Sequence, residues 1–97
     1  MLEINQNTDN NIQITGELNF MTVPELSKAN RALICHNSKT VFDLSSVTSS
    51  DNTGAALLVS LSSFAKSLQK EVMFINLPKQ LMDIVEVVGV KDLLPIQ

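Results

Sequence analysis

Thr40-Val41-Phe42-Asp43-Leu44-Ser45-Ser46-Val47-Thr48-Ser49-Ser50-Asp51-Asn52-Thr53-Gly54-Ala55-Ala56-Leu57-Leu58 is the stretch on which the fold turns. Thr40 to Leu44 reads as a short buried strand, and the Ser/Thr-rich run after it reads as a loop. Asp51 then opens a helix. A strand that hands a polar turn to a helix N-terminus presents free N–H groups and partial positive charge, so such turns often carry function. The helix that follows covers about Thr53 to Leu68. Leu57, Leu58, Leu61, Phe64, Ala65 and Leu68 repeat at the 3,4 spacing of one apolar face. Gly54 projects on the same side, where close packing of the helix start on the sheet is its ordinary role.

The same alternation of strand and helix extends outward from this stretch. Val72-Met73-Phe74-Ile75 is a second buried strand. Asn76-Leu77-Pro78 turns into a helix that runs to about Val88, with Leu81, Ile84, Val85 and Val88 as its stripe and Gly89 as a C-cap. Val90 to Ile96 ends in a short strand. Upstream, Thr22-Val23-Pro24-Glu25 has the form of a capping box with proline in the first turn. It opens a helix to about Cys35, with Leu26, Ala29, Asn30 and Leu33 on its inner side. Leu2 to Gln6 and Ile12 to Thr15 alternate apolar and polar residues around the turn residues Asn7-Thr8-Asp9-Asn10-Asn11, which is the pattern of an antiparallel hairpin. Apolar central strands separated by helices imply crossovers. The fold class is therefore α/β, a mostly parallel central sheet with an N-terminal antiparallel hairpin and about three to four helices.

Composition bounds the function. Residues 1–97 make one domain. With no Trp, no Tyr and four Phe, the core is aliphatic. Net charge is −3 and the seven basic residues are scattered, which argues against a nucleic-acid partner. The single cysteine, Cys35, forms no disulfide framework and makes a zinc site unexpected. Met1-Leu2-Glu3-Ile4-Asn5 lacks a basic n-region, and no apolar run approaches the ~20 residues that span a bilayer. The reading is cytoplasmic.

Neither a catalytic set nor a cofactor site emerges. Cys35 and His36 are adjacent on a helix and point in different directions. Asp43 ends a strand without the acidic partners and lysine of a phosphoacceptor site, so it reads as a loop organiser that accepts backbone N–H groups. Asp51 is the N-cap of the helix behind it. The outer face of that helix stands out: Asn52, Ala56, Val59, Ser60, Ser63 and Ser67 lie opposite the Leu stripe, with Lys66 to one side. Solvent faces usually carry Glu and Lys. Short side chains lose little rotamer entropy on docking, so Asp51, Asn52, Thr53, Ala56, Val59, Ser60, Ser63 and Ser67 form the candidate partner-binding set.

Across most of the chain, the wording resembles the STAS domain family. Ile14-Thr15-Gly16-Glu17-Leu18 looks like its opening strand. Phe42-Asp43-Leu44-Ser45-Ser46-Val47 with Asp51-Asn52-Thr53-Gly54 looks like its central strand and signature loop. Thr22-Val23-Pro24-Glu25-Leu26 and Asn76-Leu77-Pro78-Lys79-Gln80-Leu81, followed by Val88-Gly89-Val90-Lys91-Asp92-Leu93-Leu94, are similar to MlaB-type members. The resemblance implies a small STAS-type (SpoIIAA-like) domain. It also implies a non-enzymatic regulatory subunit that binds the ATPase subunit (MlaF-type) of an inner-membrane phospholipid-transport ABC complex, which maintains lipid asymmetry and the outer membrane. Membrane association then comes only through the complex. The alternative within the family is an anti-sigma-factor antagonist controlled by a serine kinase. In the family, a Ser or Thr commonly follows the signature Asp. Here that position is Asn52, which cannot be phosphorylated, and Thr53 supplies a hydroxyl one residue on as the possible phosphorylation site.

Overall fold

Two strand–helix–strand crossovers build the molecule. The computed structural model describes residues 3–6, by backbone alone, and 11–97. Its elements are β1 (Glu3–Gln6), β2 (Asn11–Leu18), α1 (Val23–His36), β3 (Lys39–Ser50), α2 (Asn52–Ser67), β4 (Glu71–Ile75), α3 (Lys79–Val87) and a 3₁₀ turn (Lys91–Leu93). The sheet order is β1-β2-β3-β4. A helix between neighbouring strands forces them parallel, and β2, β3 and β4 are parallel in register. Ile12, Ile14, Leu18, Phe42, Leu44, Val47, Val72 and Phe74 from the strands meet Leu26, Ile34, Leu57, Leu58, Leu61, Ala65, Leu81 and Val85 from the helices in one buried cluster. Phe42 and Phe74 are register partners, and their rings stack at 5.7 Å. Burying each large side chain contributes about 1.5–3 kcal/mol.

The expected fold class needs correction. Its central element is the three-strand parallel sheet β2-β3-β4 with three α-helices, and no N-terminal antiparallel hairpin is part of that element. Crossovers fix the direction of β2, β3 and β4, whereas none constrains Glu3–Gln6, whose backbone lies antiparallel along β2 at the sheet edge. Of the expected turn at residues 7–11, residues 7–10 lie outside the described residues, and Asn11 is already the first residue of β2.

Several boundaries also move. Ser45 to Ser50 is not a loop but the second half of β3. Two extra residues in β3 shift its register against β2, between Gln13 and Thr15 and between Gly16 and Glu17. Such bulges break the two-residue alternation, so Leu44, Val47 and Ser50 are buried at a spacing of three. Thr22 flanks α1 without a side-chain cap. Its hydroxyl instead donates to Glu17 O at 2.8 Å. On α1 the buried residues are Leu26, Asn30 and Ile34; Ala29 is exposed and Leu33 half-buried. Leu68 and Val88 lie outside the core, 40% and 45% exposed. The expected last strand is the 3₁₀ turn followed by a single bridge from Ile96 to Phe74. Gly89, at φ +80°, ends α3 as expected.

Candidate functional site

The signature turn is held from three directions. Asp51 N donates to Leu18 O at 3.1 Å, which ties the start of α2 to the end of β2. Ser50 N donates to Gln80 Oε1 at 3.0 Å, which ties it to α3. Asp51 caps α2, accepting from Thr53 N at 2.8 Å and from the Thr53 hydroxyl. The Thr53 hydroxyl, helped by the Thr53 and Gly54 amides, holds the Asp51 carboxyl below the usual carboxylate range. Gly54 is required by the same junction: a Cβ there would overlap Ser50 Oγ and stand 3.2 Å from Leu18 Cβ. Asp43 lies within β3 rather than at a strand end before a loop, but it does accept a backbone N–H, from Ser45 N at 2.9 Å. Burial raises its pKa, but the bonds from Ser45 and Asn76 outweigh that and leave it lowered.

All eight predicted site residues fall on the α2 cap and outer face. Asp51, Asn52, Ala56, Ser63 and Ser67 are exposed, whereas Thr53, Val59 and Ser60 are half-buried. They are not equivalent. Ser60 Oγ accepts from the Arg31 guanidinium at 2.9 Å, and that guanidinium lies 5.0 Å from the Phe64 ring centroid. The α1 side of the face is thus closed by a cation already engaged.

On its other side, α2 opens into an apolar groove of about 410 Å³, lined by Asn52, Ala55, Ala56, Val59, Ser60, Val88 and Val90. Smaller depressions continue it to Val87 at the N-terminal end and to Leu93 at the C-terminal end. Val87 is 86% exposed and Leu93 71%. The sequence reading missed these rim residues. One signal was present: Val87 and Val88 are consecutive, so one helix stripe cannot bury both. Grouped, exposed apolar side chains are a feature of protein, membrane and ligand contact sites alike.

Among the described residues, no group of three or more His, Cys, Asp or Glu is placed to hold a metal ion. No helix among them is long and apolar enough to cross a membrane.

Comparison with known proteins agrees with this architecture. No curated protein matches the chain significantly. The chain is similar to the solved anti-sigma factor antagonist SpoIIAA in its unphosphorylated form, with a TM-score of 0.76 at 12% identity over 100% of this chain and 86% of that one. It is likewise similar to an anti-sigma factor antagonist from Mycobacterium paratuberculosis, with a TM-score of 0.77 at 17% identity over 99% and 83%. The phosphorylated form of SpoIIAA, the Bacillus cell fate determinant, gives 0.72 at 12% over 100% and 89%. At these identities the likeness is one of fold. The family model described as "Mlab, STAS domain" matches residues 4–95. The chain therefore belongs to the STAS domain family, in its MlaB-type branch.

Proposed function

We propose that residues 1–97 form a single STAS domain that acts as a non-enzymatic, cytoplasmic regulatory subunit and binds the ATPase subunit of an inner-membrane phospholipid-transport ABC complex. The observation that carries this reading is the α2 face. It is built mostly of short, uncharged side chains, is capped by Asp51 and is continuous with the Val87, Val88, Val90 and Leu93 rim. Such a surface docks a protein better than it serves solvent or a small anion. The MlaB-type family match supports an ABC partner. Thr53 supports the Asp51 cap and serves as a contact rather than a phosphorylation switch, because its hydroxyl is committed to the Asp51 carboxylate and a phosphate there would face that charge.

Co-expression tests the reading. The ATPase subunit of the lipid-transport ABC system from the source cell should co-purify with this chain. The chain alone should hydrolyse no nucleotide. Purification of the folded ATPase without it would refute the proposal. A substantial Thr53-phosphorylated fraction by intact mass and peptide mapping would promote the kinase-controlled anti-sigma reading instead.

A further inference from the structure

Three of the four phenylalanines pack against other elements: Phe42 and Phe74 are fully buried and Phe64 lies half-buried under Arg31. Phe20 does not. It is 71% exposed, and its neighbour Met21 is 75% exposed. They sit together between β2 and α1, in a turn that is closely organised. Asn19 Oδ1 accepts from Met21 N at 2.9 Å and from Thr22 N at 3.2 Å. Thr22 Oγ1 accepts from Asn19 N at 3.0 Å and donates to Glu17 O at 2.8 Å. The turn begins directly after Leu18, whose carbonyl receives the Asp51 amide. Phe20 and Met21 therefore stand at the N-terminal end of α2, on a scaffold that needs no ordering before contact.

The size of the α2 face decides what they are for. A 16-residue helix is ~24 Å long and about 10 Å across, so its outer strip offers roughly 250 Å². A stable interface takes ~800 Å² from each partner. The strip alone supplies about a third of that, so a partner seated on α2 reaches beyond it, over the rim of α3 and the 3₁₀ turn and past its ends. At the C-terminal end, Lys66 in the last turn of α2 shares a depression with Lys39 and Lys70, strongly hydrated groups that interfaces avoid, and Leu68 is less exposed, at 40%, than either Phe20 or Met21. Beyond the N-terminal end lie Phe20 and Met21. An aromatic side chain alone can bury ~150 Å² or more, and a rigid turn loses little entropy on docking.

We infer that Phe20 and Met21 are a second anchor for the ATPase subunit, so that the interface has two parts: the α2–α3 groove and an apolar knob at the β2–α1 turn. This rests on the proposed ATPase reading. The experiment measures affinity of the purified ATPase subunit for wild type, Phe20→Ala, Met21→Ala and Ser63→Arg. Thermal unfolding serves as a control for folding. Phe20→Ala should weaken binding ~30-fold or more, and Met21→Ala ~5- to 10-fold, with unchanged unfolding midpoints. If Ser63→Arg abolishes binding while both turn variants stay within about twofold of wild type, the knob is not an anchor and the ATPase reading stands. If only the turn variants lose binding, the anchor holds and the groove is displaced as the main contact. If wild type does not bind, the ATPase reading falls and the anchor with it.

Discussion

Individual side chains at the β3–α2 junction carry sharp consequences. A Cβ at position 54 would overlap the buried Ser50 hydroxyl and crowd Leu18, and overpacking of this kind costs about 1–3 kcal/mol. Gly54→Ala should therefore lower stability by that amount in urea unfolding, and adding Ser50→Ala should recover part of it. A second residue works against the fold. Asn30 is fully buried in α1, and neither of its amide atoms has a hydrogen-bond partner among the described protein groups. An unpaired buried polar group costs ~1–3 kcal/mol, while an apolar residue of similar size does not incur that loss. Asn30→Leu should raise stability by roughly 1–2 kcal/mol; a fall would show that the amide is satisfied in solution.

At the scale of the elements, α2 carries both core and contact. Leu61 is fully buried at its centre, whereas Ser63 is exposed on the opposite side. Ser63→Arg should leave the unfolding midpoint unchanged and abolish partner binding, since the contact would have to desolvate a charge. Ser60→Arg should behave differently. It removes the acceptor of Arg31 and sets a second cation beside it, so it should destabilise the α1–α2 contact as well, which a paired melting and binding experiment separates. Much of this helix was legible in sequence, because the Leu stripe and the short-residue face repeat at helical spacing. The long β3 was not. Its register shifts are written in the pairing with β2, so Ser45 to Ser50 has no alternation to read. The groove was legible only in half: Asn52, Ala56, Val59 and Ser60 share a helix, but Val88 and Val90 reach it from another element. The α1 cap failed for a similar reason, as Thr22 prefers the carbonyl of Glu17 over a local capping box.

Across the whole molecule, acid should weaken the fold in a narrow window. Asp43 and Asp51 both titrate below their ordinary value of 3.8 when folded. A carboxylate depressed on folding adds stability above its unfolded pKa and loses it as pH falls through the folded value. Stability should stay flat from neutrality to about pH 5 and drop below about pH 4. Asp43→Asn with Asp51→Asn should flatten the drop, since asparagine still caps a helix; an unaltered slope would assign it to other carboxylates. The two consecutive amides at the end of β3 have a further consequence. Ser50 answers to Gln80 on α3, and Asp51 answers to Leu18 on β2. The start of α2 is thus a keystone between two abutments, set only when both are in place. A protein that grips Val87 and Val88 leans on one abutment, and one that grips Phe20 and Met21 leans on the other.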